Sequence, residues 1–346
     1  MSEKSETVES SPQYMLDVNS SPHVADLSVT TGGVMMKVLI GLIPLVGWSF
    51  YLFGMGAVKQ VAICVITAMV CEALFQKMMK RPVTLHDGSA AITGVILALS
   101  LPVSAPWYVG FIAAGVGIGL GKAVFGGLGF NIFNPAMVGR AFVMLSFAKV
   151  MGAGAYILPQ AKVAALTQAT PLSQAKNLME AVFKGKESFH LLDSIHTNSL
   201  FLGQVNGSIG EVSALCILLG GIYLLVTRTA AWQIPLGAIL GLVVVCGPAN
   251  WAGITPFTVL QHLLAGAFLF GAFFIATDPV TSPLPRWGRF WFGAGFGFLV
   301  GIIRVFSNYP EGVMFAILIM NALVPLLNRM TIPAPLGSNV NKPKTT

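Results

Sequence analysis

Leu101-Pro102-Val103-Ser104-Ala105-Pro106 and Asp278-Pro279-Val280-Thr281-Ser282-Pro283 are the two stretches on which the fold turns. Each follows a short apolar run. Each precedes a Gly-rich helix, 110–121 and 288–301, that ends near a lone cation, Lys122 or Arg304. Proline offers no amide hydrogen and clashes with the preceding turn, so it ends a helix inside an apolar run. Short, Pro- and Gly-interrupted runs in matching positions of two halves point to broken helices around a central site.

Working outward, apolar runs lie at about 35–54, 57–75, 89–103, 106–124, 136–151, 212–227, 233–250, 256–277, 288–306 and 312–328. Five precede one long polar segment and five follow it. An odd number of spans per half sets the two copies in opposite orientations. The expected fold is an all-α polytopic membrane protein of about ten transmembrane helices, a 5+5 inverted repeat with broken or short helices. The expected divisions are an N-terminal arm (1–34), a first membrane repeat (35–151), an external segment (152–211), a second repeat (212–328) and a C-terminal tail (329–346).

Composition agrees. Of 346 residues, 55% are apolar and 10% charged, against roughly 25% charged in soluble domains. The mean hydropathy is +0.78. The net charge of +7 gathers at the ends of apolar runs, so it reports membrane topology rather than nucleic-acid binding. Lys37, Lys77, Lys80, Arg81, Lys122, Arg228, Arg286, Arg289 and Arg329 fall on one side if the N-terminus is inside. Both termini are therefore expected in the cytoplasm, and residues 152–211 outside. Residues 1–30 lack the basic start and cleavage site of a signal peptide. Cys64, Cys71, Cys216 and Cys246 lie within apolar runs without CxxC spacing, which argues against a zinc or iron–sulfur site in this chain.

The spans hold few ionisable groups: Glu72, Arg140, His262, Asp278 and Arg304. An Asp or Arg at a helix centre costs about 2.5–3.5 kcal/mol on insertion scales, so such groups are paired, water-facing or functional. Asp278 suits either the cap of a following half-helix or contact with a cation or cofactor. Arg140 follows Asn134-Pro135-Ala136-Met137-Val138-Gly139 and suits either a snorkelling interfacial Arg or a site residue. Asn131 and Asn134 suit either N-capping of a helix begun at Pro135 or hydrogen bonds to the heteroatom edge of a flavin ring. No Walker loop, dinucleotide fingerprint or metal-ligand histidine spacing is present. Leu166-Thr167-Gln168-Ala169-Thr170-Pro171-Leu172, in the polar segment, reads by itself as an exposed turn.

Longer motifs are more specific. Phe133–Phe147 (FNPAMVGRAFVMLSF), Gly271–Thr281 (GAFFIATDPVT), Tyr309-Pro310-Glu311-Gly312-Val313 through Asn321 and Pro325, and Ser20-Ser21-Pro22-His23 resemble runs in two related membrane proteins. These are the D subunit of the Rnf ion-translocating ferredoxin:NAD oxidoreductase and the B subunit of the sodium-translocating NADH:quinone oxidoreductase. The short N-terminal arm is closer to the former. The resemblance implies a membrane electron-transfer subunit without a complete active site of its own, coupled to sodium or proton movement in a bacterial inner membrane. It implies FMN joined through its phosphate to Thr170, in a motif ending Ser/Thr-x-Ala-Thr that Thr167-Gln168-Ala169-Thr170 matches. The family often has an Asp where this chain has Ala164. It further implies a second, non-covalent flavin such as riboflavin at Asn131 and Asn134. Expected partners are an FMN-bearing subunit, iron–sulfur subunits, a flavin transferase and lipid.

Without the resemblance, a 5+5 inverted repeat suits a solute transporter or channel equally well. Ala164 keeps open a scaffold subunit that carries no cofactor. The external Thr-x-Ala-Thr sequence separates these readings, because a transporter has no use for it.

Overall fold

The computed structural model describes residues 30–152, 170–183, 197–203, 205–211, 213–307, 309 and 311–333. Thr167, Ala164 and the arm containing Ser20–His23 lie outside the described residues. Among the described residues, regular structure is entirely helical.

Five helices are long and apolar enough to cross a membrane: α1 (Thr31–Phe53), α2 (Met55–Met78), α10 (Gln233–Trp251), α13 (Arg286–Phe306) and α14 (Val313–Thr331). The shorter apolar helices are α3 (Ser89–Leu99), α4 (Trp107–Ile118), α5 (Pro135–Ser146) and α9 (Ala214–Val226). A π-helical turn, Gly119–Ala123, extends α4. The connecting pieces are α6 (Ala148–Met151), α7 (Pro171–Phe183), α8 (Thr197–Leu202), α11 (Val259–Leu264) and α12 (Phe268–Phe270). Another π-helical turn, Gly271–Ile275, continues α12.

The helix boundaries follow the sequence. α5 begins because Asn134 accepts hydrogen bonds from the Ala136 and Met137 amides at 3.1 and 3.3 Å, with Pro135 supplying a helical φ at the first position. Gly139 then lets α5 press on α4, where a Cβ would overlap the Ala113 carbonyl. The run at 256–277 is not one helix. Gly266, at φ +67°, breaks it into α11 and α12.

Broken helices leave backbone groups that lipid cannot satisfy, and each half solves this differently. At the end of α3, the Leu99 and Leu101 carbonyls accept from the Gly210 and Ile209 amides at 2.7 and 3.1 Å. At the α11–α12 break, side chains do the work. Arg304 donates to the His262 and Ala265 carbonyls, and Glu311 Oε1 accepts from the Ala267 amide at 2.5 Å. Arg304 is thus not a lone cation but a buried clamp from α13. Lys122 is not lone either. Its ammonium lies 2.6 Å from Glu72 Oε1 and 2.6 Å from Ser89 Oγ, with both ionic side chains about 4% exposed.

The core runs through both halves. α1 packs on α9, α5 on α14, α2 on α3 and α4, and α10 on α13. Phe268 and Phe296 stack in it with ring centroids 5.8 Å apart. A second, smaller cluster of Leu172, Ala175, Leu200, Phe257 and Ala265 holds α7 and α8 against α11. Cys64, Cys216 and Cys246 are buried as free thiols, and Cys71 is half-buried.

Candidate functional site

Thr170 begins α7. Its hydroxyl accepts from the Ser173 amide at 3.2 Å and lies 2.8 Å from Ser173 Oγ, so it caps the helix. Pro171 follows at the position where a missing amide hydrogen costs nothing. Lys176, six residues on, donates to the Arg304 carbonyl at 3.0 Å and fixes α7 to the end of α13. Burial lowers the Lys176 pKa.

Thr170 is half-buried on the wall of a cavity of about 410 Å³. Met144, Met314 and Phe315 supply apolar walls, and Arg140, Glu211 and Glu311 supply charge. Arg140 is 5% exposed, with a guanidinium nitrogen 3.5 Å from Glu211 Oε1 and 3.2 Å from Glu311 Oε2. The snorkelling reading of Arg140 therefore fails. Mid-helix, on the face of α5 that meets α14, its side chain turns inward to two carboxylates. Glu211 lies outside the spanning helices, and its carboxyl is pushed up to about 8. Burial is the main cause and the Glu311 charge the next, while Arg140 and Ser208 oppose them.

A second cavity lies at the N-terminal end of α5. It measures about 70 Å³, and its polar lining includes Lys122, Asn131, Asn134 and Asp278. Asn134 Nδ2 donates to Asp278 Oδ2 at 3.4 Å, and the Asn134 amide donates to Asn321 Oδ1 at 3.1 Å. Asn321 Nδ2 in turn donates to the Thr281 carbonyl at 2.9 Å, so carboxamides join the two halves. Asp278 caps no half-helix. It closes its own turn by accepting from the Val280 amide at 3.2 Å and Thr281 Oγ1 at 3.0 Å. Asn131 is 6% exposed and does not cap α5. Its Nδ2 donates to the Phe133 carbonyl at 3.3 Å, and its Oδ1 has no hydrogen-bond partner.

The structure therefore groups the candidate residues in two places: Thr170 with Arg140, and Asn131 and Asn134 with Asp278. Arg140 lies six residues beyond the N-cap Asn134, about 9 Å of helical rise along α5. Sequence reasoning missed Glu211 and Glu311 as partners of Arg140. Each is an acid just ahead of an apolar run, which is a signal for a helix entrance but not for which Arg it meets.

The two cavities fit a flavin unequally. Small-ligand pockets span about 300–1,000 Å³, a range that includes the Thr170 cavity. The cavity of about 70 Å³ holds a few waters or an ion. A neighbouring space of about 420 Å³ shares Lys122 and Leu128 with it.

Comparison with known proteins adds the relatives. Residues 17–337 match the NQR2, RnfD, RnfE family. The chain is 39% identical, over 91% of its length and 93% of the relative's, to the D subunit of the Na(+)-translocating ferredoxin:NAD(+) oxidoreductase complex of Acetobacterium woodii. It is 40% identical to the D subunit of the ion-translocating oxidoreductase complex of Stutzerimonas stutzeri, over 88% of this chain and 92% of that one. It is 38% identical to the D subunit of the proton-translocating ferredoxin:NAD(+) oxidoreductase complex of Clostridium ljungdahlii, over 93% and 96%.

Proposed function

This chain belongs to the NQR2, RnfD, RnfE family, and from that membership we propose that it is the membrane electron-transfer subunit of an ion-translocating ferredoxin:NAD(+) oxidoreductase complex, carrying FMN on Thr170. The observation that carries the reading is a threonine hydroxyl at a helix N-terminus on the wall of a cavity of about 410 Å³. A phosphoester at that oxygen brings its negative charge to the positive end of α7. FMN, when bound, supplies one- and two-electron transfer. This chain's residues do the rest. Thr170 tethers the group, Met144, Met314 and Phe315 give the cavity apolar wall, and Arg140 brings its ion pairs with Glu211 and Glu311 to the same cavity. A tether also holds the cofactor at high effective concentration where no nucleotide-binding fold exists.

The packing of α1 on α9 and of α5 on α14 supports the 5+5 inverted arrangement of about ten spans. The distribution of Lys and Arg supports cytoplasmic termini and an outward-facing α7 in a bacterial inner membrane. Riboflavin beside Asn131 and Asn134 requires the cavity there to open into the larger neighbouring space across Lys122 and Leu128. Iron–sulfur subunits on the inner side and an FMN-bearing subunit on the outer would complete the electron path. The relatives from Acetobacterium and Clostridium are named for sodium and for protons at 39% and 38% identity. Family membership thus supports the reaction class, and the ion depends on finer detail.

The test is in-gel flavin fluorescence on denatured protein co-expressed with a flavin transferase. Wild type should glow after SDS and Thr170→Ala should be dark. A dark wild type, with the transferase active on a control protein, overturns the covalent reading and favours a cofactor-free scaffold.

A further inference from the structure

The tether needs Thr170 and the cap needs Ser173, but neither explains the part of the cavity wall that Arg140 occupies. There, two carboxylates converge on one guanidinium. Arg140 comes from α5, Glu211 from the segment before α9, and Glu311 from the turn before α14. Their roles differ. Glu311 accepts on both oxygens, Oε1 from the Ala267 amide and Oε2 from Arg140, which favours its ionised form. Glu211 is 7% exposed, and its Oε1 accepts no hydrogen bond. The other charged or titratable groups around the pair are Arg304 on α13, Lys176 on α7 and Tyr309 in the loop, with His262 of α11 behind Arg304. Arg304 and Lys176 are already engaged with backbone carbonyls. Arg140 thus faces two largely buried carboxyls, where like charges at close range raise the proton affinity of one of them, and the Arg304 charge bears chiefly on Glu311.

We propose that Glu211 and Glu311 hold one proton between them at neutral pH, resident on Glu211, and that this proton site on the cavity wall binds its proton more tightly when negative charge enters the cavity. The second half rests on the flavin reading above. Around pH 8 and above, where Glu211 is ionised, the compensating proton comes from bulk water when a one-electron reductant charges the group on Thr170. It forms an O–H bond on the Glu211 carboxylate. Electron and proton then enter the same cavity, and its net charge is unchanged. The raised pKa of Glu211 agrees with this.

Infrared difference spectroscopy on the full chain in detergent reads the proton directly, through the C=O stretch of a protonated carboxyl. Wild type should show a band that disappears as pH rises through about 8. Glu211→Gln should abolish it. Glu311→Gln should lower its titration, because Glu211 then faces Arg140 without a competing carboxylate. A band absent at pH 7, or unmoved in Glu311→Gln, overturns the shared site. For the linkage, dithionite reduction of the flavin-bearing chain should raise the titration by about one pH unit, tenfold in proton affinity. That shift should be missing in Glu211→Gln. A flavin-loaded chain whose band ignores reduction overturns the linkage. A chain that carries no covalent flavin sinks the function proposed above, and the pair is still decided by its own titration.

Discussion

The cavity under Thr170 and the cavity beside Asn134 share one short helix and are built in opposite ways. The outer one is roomy, about 410 Å³, and its wall carries an Arg and two acids. The inner one is tight, about 70 Å³, and is crossed by carboxamide hydrogen bonds that join the halves. Dense neutral hydrogen bonding fixes register between two packed bodies without stranding charge. Ionised groups need either ideal pairing or room for solvent and ligand. The inner cavity thus has the character of a seam, and the outer one that of a vessel.

The sharpest way to break this contrast is to remove the outer charge. Arg140→Met removes the guanidinium on which Glu211 and Glu311 converge, and loss of one partner from a buried pair costs about 3–5 kcal/mol. A large drop in thermal midpoint in detergent is expected. Unchanged melting would mean that solvent, not Arg140, balances these acids.

pH should separate the cavities next. The folded protein holds the Glu211 proton more tightly than the unfolded chain does, from the ordinary 4.5 up to about 8. The resulting stability is fully present below 4.5 and is lost as pH rises through about 8. The thermal midpoint should therefore fall between about pH 4.5 and 8 and level off above it, and Glu211→Gln should flatten that slope. An equal slope in wild type and variant would assign the effect to another group.

The smallest expected change in stability is at the seam. Asp278→Asn keeps the shape but sets an amide against the Asn134 amide, and losing a hydrogen bond of that kind costs about 1 kcal/mol. Asp278 is proposed as an ion-coupling or cofactor contact, so ion pumping should fall more than stability does. Wild-type electron transfer together with wild-type pumping in this variant would end that role.

Much of this was legible in the sequence. Apolar runs and their Pro and Gly interruptions predicted the helices at 31–53, 55–78 and 286–306 within a few residues. Asn134-Pro135 announced a helix start, because capping and proline chemistry are local. The break at Gly266 was not legible, since Ala265-Gly266-Ala267 inside an apolar run looks like ordinary membrane helix. Lys122 and Arg304 looked lone for a related reason. Their partners, Glu72 and the His262 and Ala265 carbonyls, lie tens of residues away on other helices.

Hydropathy, proline placement and the Thr-x-Ala-Thr motif are properties of neighbouring residues. The sequence alone therefore determined that this chain spans a membrane, where prolines interrupt its helices, and that Thr170 merits a test. Only the tertiary structure decided that Glu211 and Glu311, 100 residues apart in the chain, meet on Arg140. It likewise decided that the cavity beneath Thr170 has room for a ligand while the one beside Asn134 is tight. Both depend on how far apart packed helices stand, and on which broken ends need partners where lipid supplies none.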